Sequence, residues 1–121
     1  MPTTGEIMRS GVDALTARLL GADRDTTTET ATGSVQGDAF ALTANITVFG
    51  TVAASTGARL PTATGSGPFF VFNNGANALT VYPAVGEFIN ASAVNTGFSV
   101  TNGKGAYFYP HGNIWMANLS A

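Results

Sequence analysis

The chain has 121 residues, the length of one domain, and its 10% of charged residues falls well below the roughly 25% of typical soluble domains. A net charge of −2 without a basic cluster argues against nucleic-acid binding through phosphate neutralisation, and the absence of Cys excludes disulfides and Cys-based metal sites. No apolar run approaches the roughly 18 residues of a membrane span, and the N-terminus lacks a secretory-signal pattern, so we expect no membrane partner.

Charge divides the chain into two zones. Of the twelve charged residues, five Lys or Arg and seven Asp or Glu, ten lie at or before Arg59, and only Glu87 and Lys104 follow it. We therefore predict an N-terminal arm, residues 1–38, and an uncharged domain, residues 39–121.

The arm begins with a predicted short amphipathic helix at about residues 4–20. Thr3 and Glu6 have the spacing of a capping box, and Gly21 is placed to end the helix. An apolar stripe with helical spacing runs along it: Met8, Val12, Leu15 and Leu19. A helix this short is marginal alone, so the stripe needs a surface to cover, either on its own β domain or on a neighbouring subunit. The following DRDTTTETATGSVQGD is predicted to be a polar, extended linker.

In residues 39–121 the apolar period changes from helical to two. AFALTANITVFGTVA places Phe40, Leu42, Ile46 and Val48 at alternating positions, as in a half-buried strand. PFFVF is a nearly continuous apolar run, which indicates a strand covered on both faces.

Turn signals separate these predicted strands. FNNGANALTVYP, GFSVTNGKGAYFYP and the HGN before IWMANLS each read as strand, turn and strand, and Asn-Gly is a strong hairpin signal. The sequence therefore predicts an all-β fold, a small antiparallel β-sandwich or barrel preceded by the arm.

No catalytic constellation emerges from the sequence. His111 is the sole histidine and stands in a turn, Glu87 has no second carboxylate near it in sequence, and Asn102–Gly105 departs from the phosphate-loop pattern. Asp23, Asp25 and Glu29 cluster in the predicted linker without the pattern of a calcium loop. We therefore expect no enzyme, no metal site and no cofactor.

Aromatic side chains crowd the second half of the chain. On a strand, alternate members face opposite sides, so one set belongs to the core and the other is exposed as a protein or sugar surface. Because so few charges accompany them, we favour a protein partner.

At ARLPTATGSGPFFVFNNGANALTVYPAVGEFIN the chain resembles a recurring module of tailed-phage virion proteins. The resemblance covers roughly residues 40–118. Its features are Leu60-Pro61, the apolar strand at 68–72, Asn74 to Pro83, Gly86 to Asn90, Phe98 to Val100, Gly103 to Gly105, Ala106 to Tyr109, and Trp115.

This resemblance implies a structural virion component without catalytic residues, in which Glu87 is a turn residue. Small stand-alone members are similar to capsid decoration, or cement, proteins, which are commonly trimeric on the outer capsid surface. The expectation is a homotrimer, assembled in the host cytoplasm, that binds the major capsid protein and reinforces the head shell. In that reading, the stripe of Met8, Val12, Leu15 and Leu19 is an interface with the shell or with an adjacent copy.

The alternative is a receptor- or glycan-binding head module of a phage fibre or spike. Exposed aromatic rings would stack on sugar rings and Asn side chains would bond their hydroxyls. The candidates for this role are Trp115, Tyr107, Tyr109 and Asn113. The oligomer number, the head or fibre location and the partner of the arm are not fixed by the sequence.

Overall fold

The computed structural model describes residues 24–120, and in this range short strands form two sheets. The strands are β1 Glu29–Thr30, β2 Phe40–Ala41, β3 Ile46–Thr51, β4 Gly57–Arg59, β5 Phe69–Asn73, β6 Leu79–Tyr82, β7 Phe98–Val100, β8 Lys104–His111 and β9 Ile114–Leu119. A single 3-10 turn at Gln36–Asp38 is the one helical element among the described residues. The predicted all-β character is confirmed for this part of the chain.

From β1 to β6, successive strands belong alternately to the two sheets. The five-stranded sheet has the order β1-β3-β5-β8-β9, and the four-stranded sheet has the order β2-β4-β6-β7. β1, β3 and β5 pair in parallel, as do β2, β4 and β6. The chain therefore passes from one sheet to the other at each connection up to β6. The last strands pair in the antiparallel direction, β7 with β6, β8 with β5, and β9 with β8. Both sheets are mixed and neither closes into a barrel, so the antiparallel arrangement expected from the sequence is corrected.

The predicted hairpin at FNNGANALTVYP is wrong, because β5 and β6 lie in different sheets. Asn73 is fully buried at this corner, where its side-chain NH2 donates to the carbonyls of Asn77 (2.8 Å) and Val100 (2.9 Å). Its side-chain oxygen accepts the Gly75 N–H at 2.9 Å. A Cβ on Gly75 would meet the backbone nitrogen of Val52 at 2.6 Å, so the glycine permits close packing of this corner on the previous one.

The predicted hairpin GFSVTNGKGAYFYP is wrong for the same reason, since β7 pairs with β6 and β8 pairs with β5. The HGN turn does join an antiparallel pair, β8 and β9, with His111 opposite Ile114. Gly112 has a positive φ of 62° in this turn.

The core lies between the inner faces of the two sheets. Its largest fully buried side chains include Trp115, Phe49, Phe108, Leu79, Val71, Val81 and Val100. Edge-to-face ring pairs link the sheets, Phe40 with Phe49 at 5.4 Å and Phe98 with Phe108 at 5.6 Å. On β3 the buried residues are Thr47 and Phe49, whereas Ile46 and Val48 are half-buried on the other face. The sequence had predicted the opposite face of β3 as its buried side.

Residues 24–38, which the sequence assigns to the arm, pack on the β domain. β1 pairs with the edge of β3, and Ala31 is buried in the shared core. The predicted helix at about 4–20 and its stripe of Met8, Val12, Leu15 and Leu19 lie outside the described residues.

Candidate functional site

The outer face of the five-stranded sheet carries a mainly apolar surface, called here the aromatic face, which is bordered by Arg24, bridged to Ile46, and by Asn118, opposite Tyr107. It consists of Ile46, Val48, Phe70, Phe72, Tyr107, Tyr109 and Met116. Strand register brings them together, because Ile46 lies opposite Phe70 and Phe70 lies opposite Tyr107. Tyr109 lies opposite Met116 on the next strand. Since side chains alternate between the faces of a strand, all of these project away from the core.

The tyrosines of the aromatic face form an ordered group of rings. Tyr107 and Tyr109 are 48% and 45% exposed, with ring centroids 6.1 Å apart and planes within 16°. The Phe70 ring lies 4.7 Å from that of Tyr107. A shallow depression of about 250 Å³ opens here, lined by Asn45, Ile46, Pro68, Phe69, Phe70, Tyr107 and Tyr109.

Gly105 makes room for this packing of rings. A Cβ at this position would lie 2.7 Å from the Phe70 ring and 3.1 Å from the Phe72 ring. The second glycine of the Gly-Lys-Gly turn is therefore explained by close approach of side chains on the aromatic face.

The outer face of the four-stranded sheet is polar and is covered by the chain itself. Residues 34–38, called here the cover loop, lie across it. Arg59 Nη1 donates to the carbonyls of Gln36 (3.2 Å) and Gly37 (3.3 Å). The Tyr82 hydroxyl donates to the carbonyl of Ser34 at 3.4 Å, and the Gln36 side chain donates to the carbonyl of Pro83 at 2.8 Å.

A second group of exposed apolar side chains, called here the valine patch, consists of Val35 in the cover loop and of Val85 and Val94 in the connection between β6 and β7. These side chains are 58%, 75% and 53% exposed. Their loops meet at Asn95, whose side-chain oxygen accepts the Gly86 N–H at 2.8 Å and a Gln36 side-chain N–H at 3.2 Å. Val35 precedes Gln36, Val85 precedes Gly86 and Val94 precedes Asn95, so each valine is next in the chain to one of the three residues joined at the Asn95 side chain.

Charge is nearly absent from the surface of the last 61 described residues, 60–120. Glu87 is only 7% exposed, and its two carboxylate oxygens accept the Ala63 N–H at 3.1 and 3.2 Å. Lys104 is half-buried at the start of β8. Glu87 therefore ties the connection before β5 to the connection after β6.

The outer edge of β9 is partly paired. The Trp115 N–H donates to the carbonyl of Phe88, and the Trp115 carbonyl accepts the Asn90 N–H at 2.8 Å. The Asn90 side-chain amide bonds the N–H of Ala117 at 2.8 Å and its carbonyl at 3.3 Å, as a neighbouring strand would. Because this edge is partly occupied, sheet extension through β9 is hindered.

The residues that the sequence suggested as sugar contacts do not all lie together in the structure. Tyr107 and Tyr109 lie together on the aromatic face, but Trp115 is fully buried and its indole N–H donates to the carbonyl of Pro61 at 3.2 Å. Trp115 is thus a core residue, and its predicted sugar-stacking role is wrong. Asn113 and His111 are exposed at the β8–β9 turn. Asn102–Gly105 spans the turn into β8 and the first residues of that strand.

Two acidic residues of the predicted linker share a hydrogen bond. The side-chain hydrogen bond with Glu29 lowers the pKa of Asp25, and the same bond raises the pKa of Glu29. Asp25 Oδ1 also accepts the Thr27 N–H at 3.1 Å. Within residues 24–120 no group of three or more metal-ligating side chains occurs.

None of the helices among the described residues has the length and hydrophobicity to cross a membrane. Comparisons of this chain with protein-family models, with curated proteins and with solved structures gave no match.

Proposed function

We propose that this chain is a structural virion protein, a capsid decoration protein that forms trimers on the outer surface of the head shell. Its partners are other copies of itself and the major capsid protein. The phage context and the trimer rest on the resemblance of residues 40–118 to virion modules. The exposed apolar surface, which carries almost no charge, supports a role in contacts with other protein subunits.

The single observation that carries this proposal is an exposed surface that is apolar and almost free of charge. Soluble monomers keep charges at the surface to oppose association. In residues 60–120 of this chain, Glu87 is buried and Lys104 is half-buried, while Val85, Tyr107 and Tyr109 stand exposed. Such a surface is suited to contact with other protein subunits.

The valine patch is the proposed contact between copies. Its members project from loops that are held in place by Asn95 and Gln36, so little ordering is needed when a partner binds. Apolar burial contributes about 25 cal/mol per Å², and repetition in a lattice adds strength through effective concentration. In this proposal, many small contacts of this kind together stabilise the shell.

The contact role is tested by light scattering at several protein concentrations. The unmodified chain is expected at three times its chain mass, and Val85→Asp with Val94→Asp is expected to shift it to the monomer. Ser92→Asp with Thr96→Asp adds the same charge to exposed positions of the same connection and should leave the trimer intact. A monomer in the unmodified chain at every concentration would contradict the proposed trimer.

The virion location needs a separate experiment. Immunogold labelling of phage particles released from cells that carry this sequence should mark the heads. Label on tail fibres would favour the receptor-binding alternative, and unlabelled particles would overturn the virion assignment.

One observation favours the glycan-binding alternative, namely the near-parallel tyrosine pair beside a shallow depression. Against it, the lining offers few polar groups, and the Asn45 side-chain NH2 is already donated to the carbonyl of Pro68 at 2.9 Å. A glycan array with the unmodified chain and with Tyr107→Ala decides between these functions. A specific signal that the substitution abolishes would favour sugar binding.

A further inference from the structure

The two sheets differ in how their edge strands are protected from pairing with other chains. In the five-stranded sheet, the edge at β1 carries Glu29 shortly after Asp25, and the edge at β9 is partly paired by Asn90. Charged side chains and occupied backbone groups both discourage pairing between chains. The four-stranded sheet ends at β2 and β7, and residues 39–43 and 97–101 contain no Asp, Glu, Lys or Arg. Both edges of this sheet therefore lack charge.

The backbone groups of Ser99 point outward from the edge at β7. The Thr80 N–H donates to the Thr56 carbonyl at 3.4 Å, on the side of β6 that faces β4. Because backbone groups alternate between the two sides of a strand, Val81 directs its groups to β7, where Phe98 lies opposite it. The N–H and C=O of Ser99 therefore face away from β6, and no strand lies beyond β7 in the described part of this sheet.

Ala41 has the matching position on β2, the other edge of the same sheet. The Leu42 N–H donates to the Arg59 carbonyl on β4 at 2.9 Å, so the N–H and C=O of Ala41 face away from β4. The side chains of Ala41 and Ser99 are both exposed, and each lies between two residues that pack in the core. Both side chains therefore lie on the outer face of the sheet.

The core reaches the surface at these two edges. Phe40 on β2 and Phe98 on β7 pack against the buried residues but are themselves half-buried. Their rings meet Phe49 and Phe108 of the other sheet edge-to-face. A strand added at either edge would cover more of these rings, and apolar burial contributes about 25 cal/mol per Å².

We propose that β7 of one copy pairs antiparallel with β2 of the next copy, with Ser99 opposite Ala41. β7 is antiparallel to β2 within one chain, so copies with the same orientation along the strands bring these edges together in the antiparallel sense. In this register Phe98 lies opposite Leu42 on the core side of the joined sheet. Strand addition at a sheet edge is a common mode of recognition between chains.

This pairing rests on the proposed trimer and names the strands through which its copies meet. A cyclic trimer needs two different, complementary surfaces on each chain, because its contacts are heterologous. The edges at β2 and β7 meet this requirement, since each offers unpaired backbone groups to the other.

Disulfide trapping between copies tests the pairing in the full chain. The protein has no cysteine, so introduced residues are the sole thiols. Ser99→Cys with Ala41→Cys places two thiols on opposite edges of one sheet, three strand spacings or about 14 Å apart, which is too far for a bond within one chain. Ser92→Cys with Ala41→Cys is the matched control, because Ser92 is an exposed serine outside the strand edge. Ser99→Cys alone tests whether two β7 strands meet instead.

Under mild oxidation, the Ser99–Ala41 variant is expected to form disulfides between chains at least about tenfold faster than the Ser92–Ala41 variant. The reason is that Cα atoms of a hydrogen-bonded cross-strand pair lie about 5.5 Å apart, within the range of a disulfide. Equally fast linkage in Ser99→Cys alone would overturn the proposed pairing.

Light scattering of the unmodified chain separates this inference from the proposed trimer. A trimer in which the Ser99–Ala41 variant links no faster than the control would overturn the strand pairing and leave the trimer standing. A monomer at every concentration, without disulfides between chains in any variant, would overturn both.

Discussion

The outer faces of the two sheets differ in whether other residues of the described chain cover them. The outer face of the four-stranded sheet is polar, and the cover loop closes it through Arg59, Tyr82 and Gln36. The aromatic face of the five-stranded sheet has no cover among residues 24–120, although its side chains are the more hydrophobic. The difference teaches that this chain satisfies polar groups of one outer face with its own loop and leaves apolar side chains of the other at the surface of the described domain.

Trp115→Ala should have the largest effect, because it removes the packing on which both faces rest. Its ring is fully buried and meets Phe69 edge-to-face at 5.8 Å. We expect the free energy of unfolding to fall by about 3–5 kcal/mol in chemical denaturation. Tyr109→Ala, on the exposed face, should cost only about 1 kcal/mol. Equal losses would mean that Trp115 is not a core residue.

Asn73→Ala should have the next largest effect, because Asn73 braces the corner that carries the chain from one sheet to the other. The substitution leaves the buried Val100 carbonyl, the part-buried Asn77 carbonyl and the Gly75 N–H without this partner. We expect a loss of about 2–3 kcal/mol in the same measurement. Asn74→Ala, at the exposed neighbouring position, is the control and should be almost neutral. A neutral Asn73→Ala would favour the hairpin that the sequence suggested.

Arg59→Met sharpens the comparison by loosening the covered face alone. It keeps most of the aliphatic stem and removes the two hydrogen bonds to the cover loop. We expect a loss of about 1 kcal/mol and faster amide hydrogen exchange in residues 34–38. Lys104→Met removes a cation elsewhere and should leave that exchange unchanged. Unchanged exchange in Arg59→Met would show that other contacts hold the loop.

The all-β character and the positions of several strands could be predicted from the sequence, because alternation and turn residues are local signals. The winding between sheets could not, since Asn73, Gly75 and Asn77 form a corner with the same residue types that form a hairpin. The face of β3 was predicted wrongly because its outward residues Ile46 and Val48 are both apolar, whereas its buried set includes Thr47 beside Phe49. Thr47 gave no sign of burial, and Ile46 and Val48 belong to the aromatic face instead.

The candidate surfaces were predicted in part. Alternation along β8 separates Tyr107 and Tyr109 from Phe108, but it cannot show that Trp115 on the next strand points into the core. The valine patch had no signal in the sequence, because Val35 is far in the chain from Val85 and Val94. Only the hydrogen bonds at Asn95 reveal that their loops meet.

The most direct test of the comparison between the two outer faces is chemical labelling of tyrosine in the full chain, which has three: Tyr82, Tyr107 and Tyr109. We predict that Tyr107 and Tyr109, which are 48% and 45% exposed, react faster than Tyr82, whose hydroxyl donates to the Ser34 carbonyl of the cover loop. Arg59→Met, which removes the two hydrogen bonds to the cover loop, should speed the labelling of Tyr82 and leave that of Tyr107 and Tyr109 unchanged. Labelling of Tyr82 as fast as that of Tyr107 and Tyr109 in the unmodified protein would contradict the comparison, because it would show both outer faces equally open to solvent.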